Sequence, residues 1–154
     1  MIDFEVIRAG LQQAIPFNTF VGLEVAEVSE GRGVVVLPAR PELTNHVGSQ
    51  HAGALFSAGE AASGAAFVSA FAPRMADITP LAESATIAYR RIARGRITAT
   101  ALFGSDAQEL FAELDREGRV RFPIEVALTD AGGDPVAEMT VAWYVRAKAA
   151  EPAS

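Results

Sequence analysis

The chain has 154 residues, half of them hydrophobic and 21% charged, with a net charge of -6 and no cysteine. That is one domain's length with enough apolar material for its own core, and it excludes a disordered chain, a disulfide framework, a thiolate nucleophile and a Cys-ligated metal. The acidic balance argues against a nucleic-acid partner held by phosphate neutralisation.

Met1 leads directly into Ile2-Asp3-Phe4-Glu5, without the basic and apolar regions of a signal peptide, so a cytoplasmic location is expected. Phe4, Ile7, Leu11 and Ile15 recur at helical spacing and predict a short amphipathic helix over 3–15, closed by Pro16. Apolar runs at about 20–28 and 33–39 flank Ser29-Glu30-Gly31-Arg32-Gly33 and predict a hairpin. A polar loop over 40–50 then enters a long helix at about 51–71, with Pro73 beyond its end. The stretch from Ala52 to Ala72 carries one charge, Glu60, so a membrane span is the rival of a buried helix. Its Ala, Gly and Ser content and lack of basic flanks favour the buried helix, and no membrane partner is expected.

Beyond the helix the period becomes two. A strand is expected near 82–92. Ile97, Ala99, Ala101 and Phe103 alternate with polar neighbours, as do Val120, Phe122, Ile124, Val126 and Leu128, and then Ala137, Met139, Val141, Trp143 and Val145. Pro123 has no N–H for a ladder and belongs at an edge or bulge. Asp106 and Glu109 start a short helix bearing Leu110, Phe111 and Leu114. The last four strands are read as two hairpins, and the tail over 147–154 as unpacked. A curved antiparallel sheet wrapped around the apolar helix buries both.

Glu60 is the costly residue of this plan, because a carboxylate among Ala, Gly, Phe and Leu loses water on burial. His51, Ala52 and Gly53 open the same helix, where unpaired N–H groups suit an oxyanion, although small residues at a helix start are also ordinary packing. Ala52 and Glu60 are eight residues apart, about 12 Å at the rise of a helix. If both act on one carbonyl, two antiparallel helices across a symmetric dimer must supply them.

Asn45, then His51-Ala52-Gly53 six residues on, then Glu60 nine after the histidine, resembles the pattern of the hotdog-fold acyl-CoA thioesterases of the PaaI-like branch, and the order of elements agrees from about residue 15 to 146. The resemblance implies an α+β hotdog fold of about six strands, a thioester hydrolase without cofactor, an acyl-CoA substrate, and a homodimer that could pair into a tetramer. It implies Glu60 as the carboxylate that activates water or attacks the thioester, and Ala52 and Gly53 N–H groups as the oxyanion site. Asn45 would orient water or the carboxylate, and His51 would fix the helix start or touch the thioester. Ala52 replaces the first glycine of the family's turn. A Ser or Thr that the family often places on the next strand aligns near Ala82, with Ser84 and Thr86 just beyond. Gly48, Ser84 and Thr86 are thus expected at the substrate. Arg90, Arg91 and Arg94 form a cluster that is either a solvated face or a grip on coenzyme A phosphates, with at most one of Arg90 and Arg91 facing a given pocket. No His, Asp and Glu spacing marks a metal site. Competing readings are an acyl-CoA-binding protein without turnover and a hydroxyacyl dehydratase, which would need a histidine base beside the acid.

Overall fold

The structure, a computed structural model, describes residues 1–150. Asp3 caps the first helix, α1 (Phe4–Ala14), by accepting from the N–H groups of Glu5 and Val6. Ile15 is extended, and Pro16 at the first position of a new helix starts α2 (Pro16–Val21), which Gly22 ends at φ +83°. The expected hairpin therefore begins later than its apolar run, as β1 (Glu24–Ser29) and β2 (Arg32–Leu37). Apolarity did not separate the buried helix end from the strand that follows it.

The long helix α3 (Ala52–Phe71) follows a 45–50 loop and leads through Ala72–Asp77 into β3 (Ile78–Tyr89). Then come β4 (Ile97–Leu102), α4 (Ala107–Glu117), β5 (Arg119–Thr129) and β6 (Pro135–Ala147). Asp106 caps α4 as expected, accepting from Gln108 and Glu109. All pairings are antiparallel, and the six strands run β1-β2-β4-β5-β6-β3. The expectation of two terminal hairpins is half right. β5 and β6 form one, but β3 and β4 do not pair: β4 lies against β2 and β5, while β3 lies at the far edge beside β6. Alternation reveals a strand and its buried face but not its neighbour. The β3 strand also starts earlier than the expected 82, at Ile78.

The alternation of β5 and β6 is otherwise read directly in their burial, with Val120, Phe122, Ile124, Val126 and Leu128 buried on one, and Met139, Val141, Trp143 and Val145 on the other. Pro123 lies where β5 has run past β4, whose pairing stops at Glu125, so it occupies a local edge. Ala147 ends β6 and Lys148 donates its backbone N–H to Asp77 O, so the first residues of the expected loose tail are hydrogen-bonded; 151–154 lie outside the described residues.

The sheet curls about α3, which contacts β2, β4 and β5 most. Small residues allow this approach: a Cβ at Gly33 of β2 would sit 2.5 Å from the Ala62 carbonyl. The segment Ala52–Asp77 is long and apolar enough to span a membrane by composition, yet 67% of its apolar window is buried inside the protein. At the C-terminal end of α3, Phe67 stacks on Trp143 at 4.9 Å between ring centroids, and Phe71 on Phe122 at 5.2 Å.

Candidate active site

The 45–51 loop is self-bracing. Asn45 Oδ1 accepts from the N–H groups of Val47 and Ser49, both at 3.1 Å, and its Nδ2 donates to Ser49 Oγ at 2.9 Å. These bonds engage both ends of the carboxamide and make Asn45 a brace of the loop, with one of its two Nδ2 N–H donors used. Gln50 is buried and anchors the loop to the fold, donating from Nε2 to the carbonyls of Pro38 (3.0 Å) and Gly95 (2.8 Å). His51 donates its backbone N–H to Leu43 O and becomes the N-cap of α3.

That cap alters the expected oxyanion pair. The Gly53 N–H donates to His51 Nδ1 at 2.8 Å, so it is not free for substrate. Because Nδ1 accepts, the neutral ring carries its proton on Nε2. The Ala52 N–H has no partner among the described residues. The helix start therefore offers two donors to solvent, Ala52 N–H and His51 Nε2–H, on exposed residues. A cavity of about 360 Å³ lies beside it, lined by Asn45, Ser49, Ala52, Tyr89, Arg90 and Arg91 among others; both arginines line it, against the expectation of at most one, because β3 ends at Tyr89 and strand alternation no longer governs them. Tyr89, which no sequence motif singled out, donates its hydroxyl to Ala52 O at 3.0 Å, and desolvation raises its pKa. It ties the end of β3 to the first turn of α3.

Glu60 lies two turns along α3, on a half-covered stripe with Ser57, Ala61 and Gly64. Its side chain forms no hydrogen bond or ion pair among the described residues, and burial without a partner pushes its pKa above the usual 4.5. It lines a second cavity, of about 130 Å³, together with Leu11, Ile15, Asn18, Gly64 and Trp143. The walls from α1 and α2 escaped the sequence reading because the first helix looked like a simple cap, and no local pattern reports which helix it covers.

The remaining candidates scatter. Gly48, at φ +74°, lines a separate cavity with Arg40 and Gln50. The register of β3 shifts between Ala82 and Ser84; after the shift Ala85 and Ile87 pack against the core while Ser84 and Thr86 are exposed. A bulge resets which face each residue takes, so neither hydroxyl reaches the Glu60 cavity, whose lining from this strand is Pro80. In the arginine cluster, Arg90 pairs with Glu138 and Arg91 approaches Asp134 at 3.8 Å, whereas Arg94 is exposed with no ion pair among the described residues. No group of His, Asp and Glu among the described residues is placed to hold a metal ion.

Comparison with known proteins places this architecture. A search of curated proteins returns no match. Among solved structures, a Pseudomonas aeruginosa protein of unknown function described as a probable thioesterase is 30% identical, with a TM-score of 0.84 over 96% of this chain and 97% of that one. The Escherichia coli PaaI protein of the phenylacetic acid degradation operon is 18% identical, with a TM-score of 0.71 over 95% and 94%. A protein of unknown function from Chlorobaculum tepidum is 16% identical, with a TM-score of 0.81 over 94% and 96%. The profile of a domain of unknown function, DUF4442, matches residues 4–145, and with the six-stranded sheet curled about one long helix this makes the chain a member of the DUF4442 family, within the thioesterase-like hotdog superfamily.

Proposed function

We propose that this protein hydrolyses an acyl-CoA thioester at sites shared between two copies of the chain, with Glu60 as general base. The observation that carries the reading is Glu60 itself, an unpaired, half-buried carboxylate with a raised pKa at an apolar cavity. A raised pKa favours proton uptake from water near neutrality. Glu60 accepts a proton from water, the hydroxide oxygen bonds to the thioester carbonyl carbon, and the carbonyl oxygen becomes an oxyanion. On collapse the C–S bond breaks, and the proton held by Glu60 passes to the departing coenzyme A sulfur.

The oxyanion needs donors that Glu60's own helix start, about 12 Å away along the axis, is too far to supply. The partner's helix start would bring Ala52 N–H and His51 Nε2–H to it, where preorganised donors stabilise developing charge. A partner also has a place to dock. The 12 residues of β3 form an open edge, with Leu81 57% exposed, and unpaired strand edges are templates for pairing. The beside-helix cavity with Arg90 and Arg91 suits the coenzyme A phosphates, and Arg94 is the cluster's cation without an ion-pair partner among the described residues.

The test is thiol release from short, medium, long and aromatic acyl-CoAs by wild type and by Glu60→Gln. The expected result is turnover by wild type and a drop of at least about a hundredfold in the folded variant. Binding of acyl-CoA with no turnover by wild type would make the protein a carrier or sensor, and full activity in Glu60→Gln would remove Glu60 from the chemistry.

A further inference from the structure

The cavity beneath Glu60 is walled in part by elements of the chain that the proposed chemistry does not use. Glu60 and Gly64 are one helical turn apart on the same face of α3 and line it together. Opposite them stand Leu11 and Ile15 at the end of α1 and Asn18 of α2, with Trp143 of β6 as a further wall. The α1 wall is fixed in place. Gln12 bonds both ways to the edge of β1, donating to Leu23 O at 3.0 Å and accepting from Val25 N–H at 2.7 Å, and Arg8 donates to Val25 O at 3.0 Å. The volume, about 130 Å³, is below that of an apolar cavity of roughly 150 Å³ known to take benzene, and well below the roughly 300 Å³ at which drug-sized pockets begin.

Resting on the thioesterase reading, we infer that this cavity receives the acyl group and limits it to a short chain of about six carbons or fewer, with Gly64 setting the depth. A side chain at 64 would project toward the same space: a Cβ there meets the Trp143 ring at 3.9 and 4.0 Å, ordinary contact distances. Gly64→Ala consequently fits the fold, and alanine in a helix interior is favoured over glycine. The substitution takes up part of the cavity without a clash.

The gauge is read by binding, independently of turnover, with a series of S-alkyl-CoA thioethers from two to sixteen carbons and an S-benzyl analogue, titrated calorimetrically into the full chain. Affinity should rise on the order of fourfold per methylene while the cavity fills, then stop rising or fall beyond about six carbons. In Gly64→Ala the ratio of six-carbon to two-carbon affinity should drop by about tenfold, the low end for one misplaced carbon in a fitted pocket. Leu11→Ala should move the limit to longer chains. Continued gain to sixteen carbons, or a Gly64→Ala series that matches wild type, would overturn the gauge. Thiol release assayed in parallel keeps the two ideas apart: a cut-off in binding with no hydrolysis defeats the catalytic proposal alone, and hydrolysis with no cut-off defeats only the gauge.

Discussion

Past Ala65, α3 presents Phe67 and Phe71 to the rings of Phe122, Trp143 and Phe111 from β5, β6 and α4, whereas Phe56 in its first turns pairs with no aromatic ring among the described residues. Phe71 is fully buried, while Phe56 is 37% exposed. The two halves are similar in composition, both built on Ala, Gly and Ser. What differs is what the rest of the chain sets against them. The C-terminal half is packed by its own fold and carries stability; the N-terminal half has a half-covered stripe, an acid with no partner among the described residues, and donors that face solvent. The edges of the sheet repeat the contrast: Gln12 and Arg8 cover part of β1, and among the described residues no strand pairs with the outer edge of β3.

The largest effect should come from the finished half. Phe71→Ala removes a fully buried ring and should cost about 3–5 kcal/mol in urea-denaturation stability. A loss below about 1 kcal/mol would mean that the aromatic cluster is not where the fold is anchored.

The next experiment breaks the unfinished half across two chains. Ala52→Pro removes the one backbone N–H free at the helix start, at a position where proline is well tolerated, and His51 already has the extended backbone a residue before proline requires, φ -65° and ψ 141°. Mixed with Glu60→Gln protein under dimer exchange, it should form heterodimers with one doubly damaged site and one intact site, so thiol release should recover to about half of wild type. Verified heterodimers that stay inactive would place each site within one chain.

The smallest effect is on stability with pH. The pKa of Glu60 is raised in the fold, so the folded state holds this proton more tightly than the unfolded one. Folding stability therefore falls as pH rises from the usual value of 4.5 through the raised one. Glu60→Gln should melt above wild type at neutral pH, with the gap closing on acidification toward pH 4.5 and below. Over the same window wild-type turnover should rise with pH, since the base acts ionised. Thermal melts and rate profiles on one pH series check both signs; a variant less stable than wild type at neutral pH would show that the carboxylate is satisfied by a group not paired with it here.

Much of this molecule was legible in local pattern. Alternation in β5 and β6 named their buried faces because a strand's period is two and one face lies on the core. Glu60 stood out because an acid in an apolar helix carries a desolvation cost visible without coordinates. The cap at Asp106 follows from a side chain that bonds within three residues.

What the tertiary structure alone decided are matters of distance between segments far apart in sequence, or of one bond that changes a role. The place of β3 beside β6 depends on pairing partners that no strand encodes by itself. One bulge at Glu83 turned Ser84 and Thr86 outward. A single hydrogen bond from Gly53 to His51 engaged one N–H expected to be open and left the imidazole Nε2–H facing out. The walls of the Glu60 cavity come from Leu11, Ile15 and Trp143, separated from it by tens of residues, because side-chain chemistry is written residue by residue, while the space in which it acts exists only once the chain has closed on itself.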